Sequence, residues 1–221
     1  EELGRVNHGG KASVRFNPGI GAGHHKKVIT AGSETKFGIG AGDISDMLDI
    51  LKRHNMKLAG INQHIGSLFL DPEGYLNAVD FLLDLARDFL ADLEIIDFGG
   101  GFGIPYQKYE QQPRLDIAAV AKGFDARIQA FARESGYKGQ FLIEPGRYIS
   151  AECGLLLGSV YNTKNNGPTR FVGTDLGFNT LMRPVLYGSF HDIEVYRQNV
   201  GQDKNLTHQT LESNIYEQGD L

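Results

Sequence analysis

The sequence is poor in several features that would place it in a specialised class of proteins. It has one cysteine, which excludes an internal disulfide and a zinc site built from several thiolates. It has no uncharged apolar run of about 18 residues, the length that a membrane-spanning helix needs. With 22 basic and 27 acidic residues its net charge is −5, so nucleic acid and anionic membranes are poor partners. These features favour a globular protein in the reducing cytoplasm.

Strands and helices alternate through the first two-thirds of the sequence. Apolar residues at helical spacing predict three helices, over residues 43–57, 71–90 and 115–135. Short apolar runs predict four strands, over residues 12–16, 58–63, 93–98 and 140–144. This order is typical of parallel strands joined by helical crossovers, and it predicts an α/β fold over residues 1–150.

The pattern changes after about Ser150. Three further strands are predicted, over residues 155–162, 169–175 and 191–197. No long helix separates them, and residues 165–168 predict a turn between the first two. The polar residues 199–210 predict a loop. We therefore expect residues 151–221 to form a second, mostly β region.

Polar and glycine-rich motifs follow each of the four strands predicted in the first region. They are residues 17–24, 64–67, 99–103 and 144–147. The carboxyl ends of parallel strands meet at one face, which is where α/β barrels bind their ligands. Four such motifs in succession predict a ligand site at this face. Their glycines also explain part of the high glycine content, which is 29 of 221 residues against a usual share of about 7%.

The chemistry of these motifs leaves alternatives open. Residues 99–101 are consecutive glycines, whose N–H groups can approach an anion closely, so they predict either a phosphate cradle or a tight turn that requires positive φ. His64 lies among apolar neighbours. It is either a satisfied core histidine or, with Ser67 three residues on, a ring that faces a planar ligand.

A carboxylate and a thiol complete the set of candidate groups. Glu144 ends an apolar strand and needs a partner, which is either Arg147 in an ion pair or a ligand nitrogen. Cys153 lies among small residues, which predicts a buried apolar filler. The sequence contains neither a metal-ligand spacing such as H-E-x-x-H nor a P-loop, so we expect no metal site.

Six motifs occur in one order along the chain and carry a family resemblance. They cover residues 17–25, 35–39, 64–67, 99–103, 144–147 and 183–187. Together they resemble the diaminopimelate decarboxylases, pyridoxal-phosphate-dependent enzymes of the alanine racemase and ornithine decarboxylase type. The resemblance implies a parallel (β/α)8 barrel, of which only the second half is present, followed by part of a C-terminal β domain.

The resemblance also implies roles toward the cofactor, pyridoxal 5'-phosphate (PLP). The cofactor phosphate would be bound by Gly99, Gly100, Gly101 and Ser67. His64 would stack on the pyridine ring, and Glu144 would act in catalysis by bonding the pyridine nitrogen. A carboxylate keeps that nitrogen protonated, and a protonated ring is the better acceptor for the electrons left when CO2 departs.

Further residues would bind the substrate. Arg147, Arg183 and Tyr187 match contacts to the substrate carboxylate or the cofactor phosphate, and the fork of arginine suits a carboxylate. Where the family has Cys-Glu-Ser-Gly-Asp, with the cysteine as proton donor, this sequence has Tyr-Glu-Gln-Gly-Asp at residues 216–220. Tyr216 would then be the catalytic proton donor, although a phenol has a pKa near 10 against about 8.5 for a thiol. Glu217 would contact the distal end of the substrate.

One part of the family pattern is missing. The Schiff-base lysine of the family lies on an early barrel strand, in a motif that this sequence does not contain. We therefore expect an internal fragment of a longer protein, which would not turn over substrate on its own. Because the family shares its active site between two subunits, the resemblance implies a homodimer.

The activity implied is PLP-dependent decarboxylation of an amino acid, with meso-diaminopimelate as the first candidate substrate and L-lysine as its product. The change to Tyr216 leaves open another substrate for the same fold, such as D-lysine, D-ornithine, carboxynorspermidine or a carrier-bound glutamyl group. A non-catalytic regulatory homologue is a third interpretation, against which the retained cofactor residues argue. An unrelated phosphate-binding barrel enzyme is disfavoured by residues 183–187.

Overall fold

The computed structural model describes residues 1–19, 36–107, 111–197 and 207–210. The chain divides into two compact units. The first comprises residues 1–104 and 113–153, and the second comprises residues 105–112 together with the chain from Gly154 onward.

The first unit is built on a sheet of four parallel strands in the order β1-β2-β3-β4. The strands are β1 (Lys11–Arg15), β2 (Lys57–Asn62), β3 (Ile95–Asp97) and β4 (Gln140–Leu142). The helices are α1 (Glu2–Val6), a 3-10 turn (Ala41–Asp43) continued by α2 (Ile44–Arg53), α3 (Pro72–Ala86), α4 (Ile117–Ser135) and α5 (Gly146–Ser150). Helices α2, α3 and α4 each connect one strand to the next, which confirms the predicted crossovers. None of the helices in the described parts of the chain is long and apolar enough to cross a membrane.

All four observed strands end one or two residues earlier than the predicted ones. Strands β3 and β4 pair over three residues each, from Ile95 opposite Gln140 to Asp97 opposite Leu142. Beyond Asp97 the chain enters the glycine run and leaves the strand direction. Apolar composition alone does not show this change of direction, so the sequence predicted strands that continued one to two residues too far.

The helix ends follow the expected capping rules. The Asp71 carboxylate accepts hydrogen bonds from the N–H groups of Glu73 at 3.3 Å and Gly74 at 3.2 Å, and Pro72 occupies the first helical position of α3. Helix α4 ends at Gly136, whose φ of 70° is left-handed. Both predicted caps are confirmed.

The core of the first unit lies between the sheet and its helices. The largest fully buried apolar side chains are Phe16, Ile61, Ile65, Tyr75, Leu82, Ile96, Phe98 and Phe131. Gln63 is also fully buried, and its Nε2 donates to the backbone oxygen of Ala78 in α3 at 2.8 Å. This contact ties the end of β2 to α3 and thereby fixes the segment that carries His64.

The described residues of the second unit form antiparallel strands and one short helix. Strands β5 (Val160–Asn166) and β6 (Thr169–Thr174) form a hairpin. Strand β5 begins five residues later than predicted and continues into the predicted turn, of which only residues 167–168 lie between the strands. Helix α6 (Arg183–Tyr187) follows, and β7 (Glu194–Arg197) pairs with β8 (Thr207–Thr210). The predicted loop over residues 199–210 is therefore wrong for its last four residues. They read Thr-His-Gln-Thr and lack the apolar alternation that marks a half-buried strand.

Cys153 is exposed, so its prediction as a buried filler is wrong. It lies just beyond α5, at the end of the first unit, where its thiol contacts the backbone oxygen of Ser150 at 2.7 Å. Small neighbours are as common where a chain leaves a core as inside one, so they do not identify burial.

The cap at Asp71 should contribute measurably to stability. We expect Asp71→Ala to lower the free energy of unfolding by about 1 kcal/mol, because two N–H groups of α3 lose their acceptor. Asp71→Asn keeps an acceptor oxygen and should retain most of the stability. Urea unfolding of both variants measures the difference, and equal stability of the alanine and asparagine variants would contradict the capping role.

Candidate active site

Four charged or polar side chains come together where the parallel strands end. They are Arg15 at the end of β1, His64 after β2, Asp97 at the end of β3 and Glu144 after β4. Neighbouring segments are hydrogen-bonded, since the Gln63 N–H donates to the Asp97 oxygen at 3.1 Å and the Glu144 N–H donates to the Gly99 oxygen at 2.8 Å. The carboxyl ends of the strands therefore hold these groups close to one another, as expected for a parallel sheet.

The glycine run passes between the segments after β2 and β4 at very short range. A Cβ atom added to Gly100 would lie 2.1 Å from the backbone oxygen of Glu144, and one added to Gly99 would lie 2.1 Å from that of Gln63. Gly99 and Gly101 also have positive φ values of 69° and 106°. The tight-turn interpretation is therefore correct, because these positions require glycine for backbone reasons alone.

The same turn also leaves backbone N–H groups for a ligand. Those of Gly99 and Gly100 already donate to protein acceptors, Asp97 Oδ1 at 2.9 Å and His64 Nδ1 at 3.3 Å. Within the described ranges the next two N–H groups of the chain, beginning with that of Gly101, have no acceptor. The tight turn and the phosphate cradle are thus compatible, with the cradle placed at the later part of the run.

His64 is half-buried and favours the neutral form. Burial lowers the pKa of its imidazole below the usual 6.5, and the positive charge of Arg15 lowers it further. A hydrogen bond to the Gly66 backbone and the charge of Asp97 act in the opposite direction. Because Nδ1 accepts the Gly100 N–H, the proton of the neutral ring is on Nε2.

Glu144 has a second carboxyl group beside it. Although the residue as a whole is exposed on this chain, partial burial of its carboxyl raises the pKa above the usual 4.5. The charge of Asp97 and a hydrogen bond between the two carboxyl groups raise the pKa further, and Arg15 lowers it. The positive charge that acts on Glu144 therefore comes from Arg15. The ion pair with Arg147 stays a prediction.

Sequence reasoning missed Arg15 and Asp97 as site residues. Each is the last residue of its strand, where a polar side chain fits ordinary alternation and attracts no notice. A usable signal was present, since Arg15 lies two residues before Asn17 and Asp97 two residues before Gly99. In a parallel sheet, the residues just before a loop motif reach the same face as the motif itself.

In the second unit, Arg183 and Tyr187 lie on α6. The Arg183 guanidinium donates to the hydroxyls of Tyr106 at 2.9 Å and Ser189 at 3.3 Å, and it lies 5.4 Å from the centre of the Tyr106 ring. His191 packs edge-on against that ring, with centres 5.5 Å apart. Tyr106 and Ser189 thus orient Arg183, and neither was singled out from the sequence.

Of the remaining predicted site residues, the structure describes two and leaves two outside the described ranges. Ser67 is half-buried beyond β2, and its hydroxyl has no hydrogen-bond partner in the described part of the chain. Arg147 lies in the first turn of α5, three residues after Glu144. Tyr216, Glu217 and residues 20–35, which include parts of two motifs, lie outside the described residues.

Comparison with known proteins identifies the family. The family described as pyridoxal-dependent decarboxylase, pyridoxal binding domain, matches residues 1–151, which contain all four side chains at the strand ends. The chain belongs to the pyridoxal-dependent decarboxylases. The diaminopimelate decarboxylase of Methanothermobacter thermautotrophicus is 38% identical over 216 residues, which are 96% of this chain and 49% of that protein.

Solved structures of decarboxylases show the same fold. A crystal structure of diaminopimelate decarboxylase has a TM-score of 0.79 at 35% identity and matches 91% of this chain and 47% of that one. The Helicobacter pylori diaminopimelate decarboxylase complexed with L-lysine has a TM-score of 0.72 at 32% identity, with 86% and 46% covered. The predicted fold class, part of a parallel (β/α)8 barrel, is confirmed. The chain spans about half the length of the curated relatives it matches.

The glycine run allows a matched pair of variants. Gly100→Ala should lower the free energy of unfolding by about 1–3 kcal/mol, because the new methyl group would overlap the Glu144 backbone oxygen. Gly146→Ala should be neutral or slightly stabilising, since nothing lies within 4 Å of a Cβ there and the position is helical. Chemical unfolding compares the two variants, and equal stability would show that the close approach at Gly100 is not rigid.

His64 should make stability depend on pH. Because its pKa is lower in the folded protein than in the unfolded chain, the unfolded state binds the proton first as the pH falls. We expect the free energy of unfolding to fall below pH about 6.5, and His64→Gln to reduce this fall. Gln keeps an acceptor for the Gly100 N–H. His8→Gln, at an exposed position, is the control. An unchanged pH dependence in His64→Gln would refute the lowered pKa.

Proposed function

We propose that the protein containing this chain catalyses PLP-dependent decarboxylation of an amino acid, with meso-diaminopimelate as substrate and L-lysine as product. The observation that carries the proposal is the convergence of His64, the glycine run and Glu144 at neighbouring strand ends. They lie inside the region that matches a pyridoxal binding domain. The related proteins are diaminopimelate decarboxylases, and one of their structures contains L-lysine.

The described residues fit each part of PLP. The N–H group of Gly101 and the one after it can donate to the phosphate, and the hydroxyl of Ser67 can add a donor. A neutral His64 can lie against the ring without repelling a protonated pyridine nitrogen. A Cβ at Gly101 would lie 2.4 Å from the Gly66 oxygen, so a side chain there would crowd the cradle.

Glu144 would hold a proton at the pyridine nitrogen. Its raised pKa and its carboxyl neighbour favour a bound proton in this contact. When bound, PLP supplies a protonated ring that accepts the electrons left by the departing CO2. The positive charge of Arg15 acts in the opposite direction and lowers the pKa of Glu144.

Substrate recognition would involve other residues. Arg183, oriented by Tyr106 and Ser189, would bind a carboxylate, and Arg147 and Tyr187 would contact the substrate or the cofactor phosphate. Tyr216 would donate the proton that replaces CO2, and Glu217 would contact the distal end of the substrate. These last two roles rest on the resemblance of residues 216–220 to the family segment.

Three further properties of the protein are part of the proposal: its oligomeric state, its location and its second domain. We propose a homodimer with a shared active site, a cytoplasmic location consistent with a single cysteine, and assignment of residues 151–221 to a C-terminal β domain.

The full-length protein should release CO2 when supplied with PLP and the right substrate. We would test meso-diaminopimelate, D-lysine, D-ornithine, carboxynorspermidine and a glutamyl-carrier thioester. Release from meso-diaminopimelate supports the proposal, and release from another member of the panel replaces the substrate but keeps the reaction. No release from any substrate, together with no change in the absorbance of added PLP, would identify a non-catalytic homologue.

Glu144→Ala should reduce decarboxylation at least about 100-fold, because the site loses the group that holds the proton at the ring nitrogen. Glu134→Ala is the control, since Glu134 is an exposed residue that pairs with Arg87 on the helical layer. Steady-state kinetics of both variants measure the effect. Similar rates for the two would show that Glu144 does not contact the pyridine nitrogen.

A further inference from the structure

Asp97 interacts with two separate parts of the predicted cofactor site. Its Oδ1 accepts the N–H of Gly99 at 2.9 Å, so it holds the first peptide of the glycine run. The oxygen of Gly99 in turn accepts the Glu144 N–H at 2.8 Å, and the Asp97 carboxyl lies close enough to that of Glu144 to raise its pKa. One side chain thus joins the segment that would bind the phosphate to the carboxyl that would bind the ring nitrogen.

The backbone holds Asp97 firmly in place. It lies in the centre of the four-stranded sheet, paired with Asn62 of β2 on one side and with Leu142 of β4 on the other. Its own oxygen accepts the Gln63 N–H at 3.1 Å. A side chain on a backbone that is paired on both sides has fewer orientations to lose when it holds its neighbours.

Charged and titratable groups face Asp97 from each element around it. They are His64 after β2, Glu144 after β4 and Tyr75 from α3, and Arg15 from β1 acts in turn on His64 and Glu144. Burial has the largest effect on the pKa of His64, Tyr75 and Glu144; the negative charge of Asp97 acts to raise each of the three, and the Arg15 charge acts to lower those of His64 and Glu144. Asp97 is therefore the common electrostatic neighbour of the site.

We propose that Asp97 is a positioning residue that fixes the glycine run and the Glu144 carboxyl in one arrangement. A second carboxylate beside Glu144 also favours a proton held between Glu144 and any ligand nitrogen. The geometry stands on the protein alone, and only its consequence for PLP rests on the proposed function.

Two substitutions separate position from charge. Asp97→Asn keeps an oxygen for the Gly99 N–H but removes the charge, whereas Asp97→Ala removes both. In the full-length protein without cofactor, Asp97→Ala should speed hydrogen exchange of the Gly99 amide at least about tenfold, and Asp97→Asn should stay near the wild-type rate. Both should lower the pKa of Glu144, measured by carbon-13 NMR of its carboxyl carbon.

Cofactor binding gives a second readout. We expect Asp97→Ala to raise the dissociation constant for PLP about tenfold or more, and Asp97→Asn to raise it less. Asp92→Asn, at an exposed position beyond α3, should change none of the three measurements. If wild-type protein fails to bind PLP, the proposed function fails, and the Gly99 and Glu144 measurements still decide the role of Asp97.

An unchanged Gly99 exchange rate and an unchanged Glu144 pKa in Asp97→Ala would overturn the proposal. If Asp97→Ala does not fold, Asp97→Val replaces it in both measurements, because valine suits a strand and offers no acceptor to the Gly99 N–H.

Discussion

The site depends on how closely the chain after β3 approaches its two neighbours. Added Cβ atoms at Gly99, Gly100 and Gly101 would all lie within 2.4 Å of backbone oxygens in the segments after β2 and β4. Such contacts can exist only between bare backbones. They bring the His64 ring, the glycine amides and the Glu144 carboxyl to one small region, although these groups are far apart in the sequence. The closeness of Asp97 to His64 and Glu144 agrees with that approach.

The alternation of strands and helices could be predicted from the sequence because it rests on local periodicity. Apolar spacing identified α3 and α4, and local chemistry identified their caps at Asp71 and Gly136. The ends of the strands were harder to predict, because β3 ends where the glycine run turns away and not where the apolar residues end. Strand β8 was missed because its four polar residues lack apolar alternation, and only their backbone pairing with β7 shows that they form a strand.

The site was predictable to the extent that position in the chain implies position in space. His64 and Glu144 were found because each follows a strand, and parallel strands end at one face. Asp97 and Arg15 were not found, because their importance arises from what lies beside them in neighbouring strands. The same holds for Tyr106, whose contact with Arg183 spans 77 residues of sequence. Resemblance to a family suggested roles for single residues, but it did not identify the side chains beside them.

The balance of charge at the strand ends explains why these particular side chains can work together. Two adjacent carboxyl groups would repel each other, and the system relieves this by binding a proton or by attracting a cation. Arg15 supplies part of the second remedy, since its positive charge lowers the pKa of Glu144, whereas burial and the Asp97 carboxyl raise that pKa. A fully charged imidazolium from His64 would satisfy the carboxylates instead and would repel a protonated ring. Burial and the nearby guanidinium keep His64 neutral, so the remaining negative charge is left for a ligand that brings a protonated nitrogen.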